Sequence, residues 1–142
     1  MPAVESLGLT PEQLEDYTEL TLGELVARME AFAEDPEANA GNRETYIRVY
    51  NGRWVGWTGL FVRNRIVKPG LDKSEIAVHV SAPSAAGLFP TTVPVLFVVG
   101  DDHPVHELGG GDVVRFAGRL EFDGGTRRPW VLDARWLPSK GP

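Results

Sequence analysis

The sequence predicts a mainly β protein, in which a short helical segment precedes a small closed barrel of five strands. Two observations lead to this fold class. The stretch from Gly52 to Asn64 alternates its residue types with period two, which is the pattern of a β-strand. Glycine (16 residues) and proline (11 residues) are also frequent in this chain of 142 residues, which favours a turn-rich β architecture over a helical bundle.

The first predicted strand contains glycines that suit a barrel. Gly56 and Gly59 weaken a flat strand but permit a bulge or a sharp bend, which small barrels need at their corners. The strand leads into a basic segment, Arg63 to Lys73, where Pro69-Gly70 marks a loop. We therefore expect the first strand to be long, bent and followed by a cationic turn.

Residues 1–42 are predicted to be an acidic helical segment that packs on the barrel. The run Thr10–Gln13 predicts a helix start, because it combines a threonine cap, a proline and the glutamine of a capping box, and this helix is expected to end near Glu19. The run Thr21–Glu24 starts a second helix in the same way, which ends before Pro36. One face of this helix is apolar and is expected to pack on the barrel, with docking of a partner helix or of a second copy as the alternative; it carries Leu22, Leu25, Val26, Met29 and Phe32.

Residues 36–44 are predicted to be a polar connector, and the segment after them is ambiguous. Thr45–Tyr50 is followed by Asn51-Gly52, and an Asn-Gly pair between two alternating runs is a strong hairpin signal. We therefore favour an extra strand at 45–50 that pairs with the strand from Arg53. A helix that runs up to Tyr50 is the alternative.

Four further barrel strands follow the first one. They are predicted at Glu75–Ser81, Val93–Val99, Asp112–Phe122 and Trp130–Leu137. The segment Pro83–Pro90 is expected to be a loop, and Asp101–Leu108 one helical turn. The barrel domain is accordingly placed at residues 43–138, with a frayed tail at 139–142.

Five strands with a helical turn between the third and the fourth match the order of the OB fold. Three stretches carry a resemblance to a known family: Gly52–Phe61 in the first strand, Gly111–Gly118 in the fourth strand and Leu132–Ala134 in the last strand. In these stretches the chain resembles the anticodon-binding-like (tRNA_anti-like) OB-fold family. The helix from Leu22 and the segment before Arg53 are similar to the elements that precede the barrel there. The resemblance covers residues 22–137 and implies the fold rather than an activity; the tryptophan-rich first strand and the acidic N-terminal part depart from it.

Several classes of chemistry lack support in the sequence. The chain has no cysteine, which excludes disulfides, thiolate catalysis and cysteine-bound metals. It also lacks the GxSxG, P-loop and HExxH motifs, so we expect no enzymatic activity and no cofactor. The run from Asp101 to Glu107 contains two histidines and acidic residues, but Pro104 separates the histidines, and helix capping explains the run without a metal. No signal peptide and no membrane-spanning run is visible, so a cytoplasmic protein without a membrane partner is expected.

The charge distribution offers a candidate binding surface. Residues 1–52 carry a net charge of −8, whereas residues 53–142 carry +2, for a total of −6. OB folds bind ligands across strands two and three, between the loop that joins strands one and two and the loop that joins strands four and five. These loops are basic here and could follow a phosphate backbone, with two tryptophans for base stacking. The predicted nucleic-acid-binding residues are Arg63, Arg65, Lys68, Lys73, Arg127, Arg128, Trp54 and Trp130.

Two functions therefore remain open at the level of sequence. The first is a module that binds single-stranded nucleic acid through the basic loops, and we rank it slightly ahead because of the fold. The second is a protein-interaction or assembly module, with homo-oligomers included, that uses the acidic helical segment or exposed strand edges. The position of the helical segment distinguishes them, because a segment that covers strands two and three closes the usual groove.

Overall fold

Five strands close into a barrel in the order β1-β2-β3-β5-β4. The computed structural model describes residues 7–82 and 91–138, so the predicted loop at 83–90 and the predicted tail at 139–142 lie outside the described residues. The strands are β1 (Trp54–Lys68), β2 (Ser74–Ser81), β3 (Thr92–Val99), β4 (Val113–Phe122) and β5 (Pro129–Leu137). The mainly β fold class and the closed five-stranded barrel are confirmed, and the strand order is OB-like.

β1 pairs with two different strands along its length. Its first half pairs antiparallel with β4, from Trp54 to Leu60, and its second half pairs antiparallel with β2, from Leu60 to Lys68. A register shift between Phe61 and Arg63 marks a bulge where the strand turns from one partner to the other. A Cβ at Gly59 would lie 2.8 Å from the Cβ of Val80, so the strand can bend over β2 at this position only without a side chain.

The remaining pairings close the barrel. β2 pairs with β3 and β4 pairs with β5, both antiparallel, whereas β3 and β5 are parallel and meet at Val95 and Val131. β5 also approaches β4 closely, because a Cβ at Gly118 would overlap the Cγ1 of Val131. Gly59, which the sequence suggested for a bend, therefore lies where two strands come together, whereas a Cβ at Gly56 would meet the side chain of Leu7.

Side chains from alternating positions of the strands fill the interior of the barrel and form the core. Phe97 of β3 and Phe116 of β4 are fully buried, with ring centroids 6.4 Å apart, and the Trp57 ring lies 6.1 Å from that of Phe116. These edge-to-face contacts add to the area that the aromatic rings bury. The indole nitrogen Nε1 of Trp57 donates a hydrogen bond of 2.7 Å to the carbonyl oxygen of Leu20, which ties the barrel to the helical segment.

Two N-terminal helices begin where the sequence predicts. α1 (Pro11–Glu15) and α2 (Leu22–Glu34) both start with the predicted capping boxes, at Thr10 with Gln13 and at Thr21 with Glu24. α1 ends at Glu15, earlier than the predicted Glu19. The predicted apolar face of α2 packs in the same core as the barrel strands, with Leu22, Leu25, Val26 and Phe32 buried.

The predicted strand at 45–50 is wrong, because residues Ala40–Tyr50 form a helix, α3. The Asn-Gly pair ends this helix instead of turning a hairpin: Asn51 is the C-cap, and Gly52 follows with φ of +84°, which favours glycine. The Asn51 side chain accepts a hydrogen bond of 2.9 Å from the Phe122 N–H, and the Gly52 N–H donates to the Leu120 carbonyl. The helical segment thus reaches Tyr50, and the predicted boundary between residues 42 and 43 falls within α3.

Two smaller predictions concern the ends of strands. β1 continues to Lys68, beyond the predicted Asn64. A single 3₁₀ turn, Pro104–Glu107, connects β3 to β4 as predicted, and Val105 of this turn is fully buried. Among the helices in the described parts of the chain, none is long and apolar enough to cross a lipid bilayer.

Candidate nucleic-acid interface

A groove of about 660 Å³ lies on the outer surface of β2 and β3, next to the loop that joins β4 and β5. α2 forms one wall of the groove and does not fill it, so the helical segment borders strands two and three without closing them off. Five arginines from three separate parts of the chain line it: Arg43, Arg63, Arg65, Arg127 and Arg128. A concave surface with this many cations is suited to an anionic ligand.

Two of these arginines come from β1 beyond its bulge. Arg63 and Arg65 are two positions apart on a strand, so they project from the same face, and both are exposed. Arg63 pairs in register with His79 of β2, which places an imidazole beside the guanidinium groups in the floor of the groove. In a regular strand Arg63 would lie on the same face as the buried Phe61, two positions earlier. The bulge between them turns Arg63 to the outer face.

The loop between β4 and β5 presents two more arginines from an ordered turn. Asp123 accepts hydrogen bonds from the Gly125 N–H (3.0 Å) and from the Thr126 hydroxyl (2.9 Å), and these bonds lower the pKa of its carboxyl group. The Arg127 N–H donates to the Asp123 carbonyl, and Arg127 itself has φ of +61°, which is uncommon outside glycine. The turn therefore fixes the direction of Arg127 and Arg128 before any ligand arrives.

Arg127 already has an acidic partner on the helical segment. Its Nε lies 3.1 Å from Oε1 of Glu44 in α3, and both side chains are a little more than one third exposed. A pair of this kind at the surface contributes little to stability, about 0–1 kcal/mol. The position of the pair is important, because Glu44 neutralises one of the cations that line the groove.

His79 is an uncharged group in this cationic surface. Burial lowers the pKa of its imidazole below the ordinary value of 6.5, and the charges of Arg63 and Arg65 lower it further. His79 is therefore neutral at pH 7. Within the part of the chain that the structure describes, its buried Nδ1 has no hydrogen-bond partner, which is uncommon for a buried polar atom.

The groove also has apolar lining residues. α2 contributes Val26, Met29, Phe32 and Ala33, and the strands contribute Pro94, Pro129 and Trp130. Trp130 is half-buried at the start of β5, with part of its surface accessible from the groove. A ligand in the groove therefore meets cations together with an aromatic and aliphatic surface.

The structure brings together five of the eight predicted site residues. Arg63, Arg65, Arg127, Arg128 and Trp130 line the same groove. Lys68 and Lys73 are exposed at the far end of the hairpin between β1 and β2 and do not line the groove. Trp54 lies at the start of β1, is 9% exposed and does not line the groove; its backbone pairs with that of residues 16–18.

Sequence reasoning missed the contribution of the helices to this groove. Arg43 was placed in a polar connector, but it lies on α3 one turn before the buried Ile47 and lines the groove. The signal that could have found it is the spacing of Arg43 and Ile47, which puts both on one face once the segment is a helix. The contribution of α2 depends on how the helix packs and leaves no mark in the sequence.

The two histidines near the 3₁₀ turn have structural contacts. The Nδ1 of His103 accepts a hydrogen bond of 3.1 Å from the Val105 N–H, which caps the turn. The Nε2 of His106 lies 2.9 Å from the Gly100 carbonyl oxygen. These contacts agree with the capping that the sequence analysis assigned to the run from Asp101 to Glu107.

The fold and the groove define an OB-like barrel with a cationic surface on its usual ligand-binding side. Comparison with protein families and with curated proteins gives no match. Among solved structures, the chain is similar to the crystal structure of a putative nucleic acid-binding lipoprotein from Klebsiella pneumoniae subsp. pneumoniae, with a TM-score of 0.56. The two share 14% sequence identity over 92% of this chain and 99% of that chain. At this level of identity the similarity shows the fold alone.

Proposed function

We propose that this protein is a non-catalytic module that binds single-stranded nucleic acid in the groove. One observation carries the proposal: Arg63 and Arg65 from β1 meet Arg127 and Arg128 from the β4–β5 loop beside Trp130. More than sixty residues separate the two pairs in the chain, so the fold itself assembles the cationic surface. The OB-like fold and the description of the similar Klebsiella protein as a putative nucleic acid-binding lipoprotein support the same function.

The two kinds of residue that line the groove, arginines and apolar side chains, correspond to the phosphate and the base of a nucleotide. Guanidinium groups form charge-assisted, often bidentate hydrogen bonds with phosphate oxygens. The indole of Trp130 and the apolar side chains of α2 offer a surface on which a base can stack. Bases are free to stack on protein in this way in a single strand, which is why we infer a single-stranded ligand.

A protein-interaction module is the second candidate, favoured by the helical segment. Residues 1–52 carry a net charge of −8, and α3 exposes Val49 at 48% of its surface beside Tyr46 and Tyr50. An exposed apolar residue on an acidic helical segment fits a protein partner or a second copy of the chain. This candidate does not use the groove, so the two functions can be tested separately.

The test is a titration of the protein with fluorescently labelled single-stranded DNA and RNA of about twelve nucleotides, which suits one OB fold. We expect a Kd in the micromolar range or tighter at low salt, and a log–log salt slope of about −0.7 for each neutralised phosphate. Charge reversal of Arg127→Glu and Arg128→Glu together should abolish binding. The matched control is Arg28→Glu with Arg48→Glu, which changes the net charge equally outside the groove. Absence of binding at low salt, or equal loss in both double variants, contradicts the proposal.

A further inference from the structure

Glu30 is an exception within the cationic groove. It lies on the α2 wall and is the acidic residue among the described side chains that line this groove. Its Oε2 accepts a hydrogen bond of 2.8 Å from the hydroxyl of Thr91, just before β3, so one carboxylate oxygen is held against the barrel. An anionic group at this place repels phosphate, so Glu30 is unsuited to contact the phosphate backbone of a nucleic acid.

The chemistry of a carboxylate limits what it can recognise. An ionised carboxylate only accepts hydrogen bonds and has about four lone-pair positions, of which Thr91 uses one. Two parallel N–H donors on the ligand match its two oxygens best. Among the nucleobases, guanine alone has two neighbouring donors on its Watson–Crick edge, the N1–H and the 2-amino group. Adenine and cytosine place an amino group beside a bare ring nitrogen, and uracil and thymine place one N–H between two carbonyls, so each brings an acceptor towards the carboxylate.

The surroundings of Glu30 supply the other contacts of a nucleotide. Met29 and Trp130 line the same groove and offer an apolar surface for the base, while Arg127 and Arg128 line it on the side of the β4–β5 loop. We propose that Glu30 makes the groove selective for a guanine base within a single strand. This inference rests on the proposed function, because it assigns a base preference to the same site.

The test compares oligonucleotides that differ at one base. A labelled single strand of thymidines carries one central guanine, hypoxanthine, adenine or cytosine, and its Kd is measured by fluorescence anisotropy. We expect the guanine strand to bind roughly tenfold more tightly than the adenine strand, which corresponds to about 1.4 kcal/mol, within the range for a good bidentate contact. Hypoxanthine keeps the N1–H but lacks the 2-amino group, so its strand should have an intermediate affinity.

A pair of variants separates recognition from charge. Glu30→Gln should reduce the guanine-to-adenine ratio to about one. The guanine strand should bind less tightly because its bidentate contact is lost, whereas the adenine strand should bind somewhat more tightly because a negative charge is removed. Glu34→Gln removes the same charge from the same helix outside the groove, and it should leave the ratio unchanged. The salt slope should not differ between Glu30→Gln and the wild type, since Glu30 contacts no phosphate.

The outcomes distinguish this inference from the function on which it rests. If all strands bind the wild type equally, or if Glu30→Gln keeps the guanine preference, the inference is wrong and the proposed function stands. If no strand binds at low salt, the proposed function fails and the base preference fails with it.

Discussion

Tyr46 of α3 places its hydroxyl group in a buried position, where it has no hydrogen-bond partner among residues 7–82 and 91–138. Its ring packs between Phe32, at a centroid distance of 5.7 Å, and Tyr50, at 4.8 Å. Burial raises the pKa of Tyr46 from 10.0 to about 12, and the neighbouring Tyr50 adds to this shift. The ring contacts thus hold α3 against α2, while the hydroxyl group opposes the burial of the ring.

We expect Tyr46→Phe to be neutral or stabilising at pH 7, by up to about 1 kcal/mol, because it removes an unsatisfied polar group and keeps the ring contacts. Since the folded pKa of Tyr46 lies above the unfolded one, the folded state resists ionisation of the phenol, and the wild type loses stability as the pH rises from 10 towards 12. The variant should therefore lose less stability than the wild type over this interval. Urea denaturation at pH 7 and at several values above pH 10 measures both effects. A marked destabilisation at pH 7 would show that the hydroxyl group has a partner.

At the scale of single elements, the β4–β5 loop owes its shape to Asp123, whose carboxylate accepts hydrogen bonds from Gly125 and Thr126. We expect Asp123→Ala to weaken nucleic-acid binding several-fold, because Arg127 and Arg128 lose their fixed direction and must be ordered on binding. The folded state should lose little stability, since the loop is exposed. Asp101→Ala is the control, because it removes the same charge at an exposed position outside the groove. Equal affinity of the two variants in the anisotropy titration would contradict this role of the loop.

The elements of the barrel could largely be predicted from the sequence, because they have local signals. Period two marked the strands, and the capping boxes at Thr10 and Thr21 marked the starts of two helices. α3 was missed because Asn51-Gly52 fits both a hairpin turn and the end of a helix, and the sequence alone does not show which partner Asn51 has. That partner is the N–H of Phe122, 71 positions away.

The candidate site could be predicted in part, for a similar reason. The loop arginines were found because the OB order specifies which loops flank the groove. Lys68 and Lys73 were included because β1 was expected to end at Asn64, whereas its longer pairing with β2 carries them past the groove. Trp54 was included because the sequence does not show that its side chain is buried, with its backbone bonded to Asp16 and Thr18 from a segment outside the barrel. Contacts between distant segments decided each of these cases.

At the scale of the whole molecule, the chain divides its charge between an acidic helical segment and a mildly basic barrel. The two parts meet at the groove, where Glu44 of α3 pairs with Arg127 and Glu30 of α2 bonds to Thr91. The helical segment therefore supports one wall of the groove and also competes with a ligand for part of the positive charge. Both effects follow from the same packing of α2 and α3 on the barrel.

We expect Glu44→Gln to increase the affinity for single-stranded nucleic acid about two- to fivefold at low salt, because Arg127 no longer has an internal partner and a surface pair is worth about 0.2–1 kcal/mol. The increase should shrink at high salt, as screening weakens both the pair and the phosphate contact. Glu37→Gln removes the same charge outside the groove and should have a smaller effect. Equal gains for both variants in the titration would indicate a general charge effect instead.

The parallel contact between β3 and β5 is the narrowest closure of the barrel, since Val95 with Val131 is the register pair that joins these two strands within the described residues. Local separation of the strands there costs fewer backbone hydrogen bonds than anywhere else around the sheet, so amide protons beside it should exchange with solvent faster than those of β1 and β2. Thr92–Pro94 of β3 and Pro129–Trp130 of β5 also form adjacent sides of the groove. A nucleic acid that contacts both sides would hold β3 and β5 together. Occupancy of the groove would therefore slow amide exchange throughout the barrel.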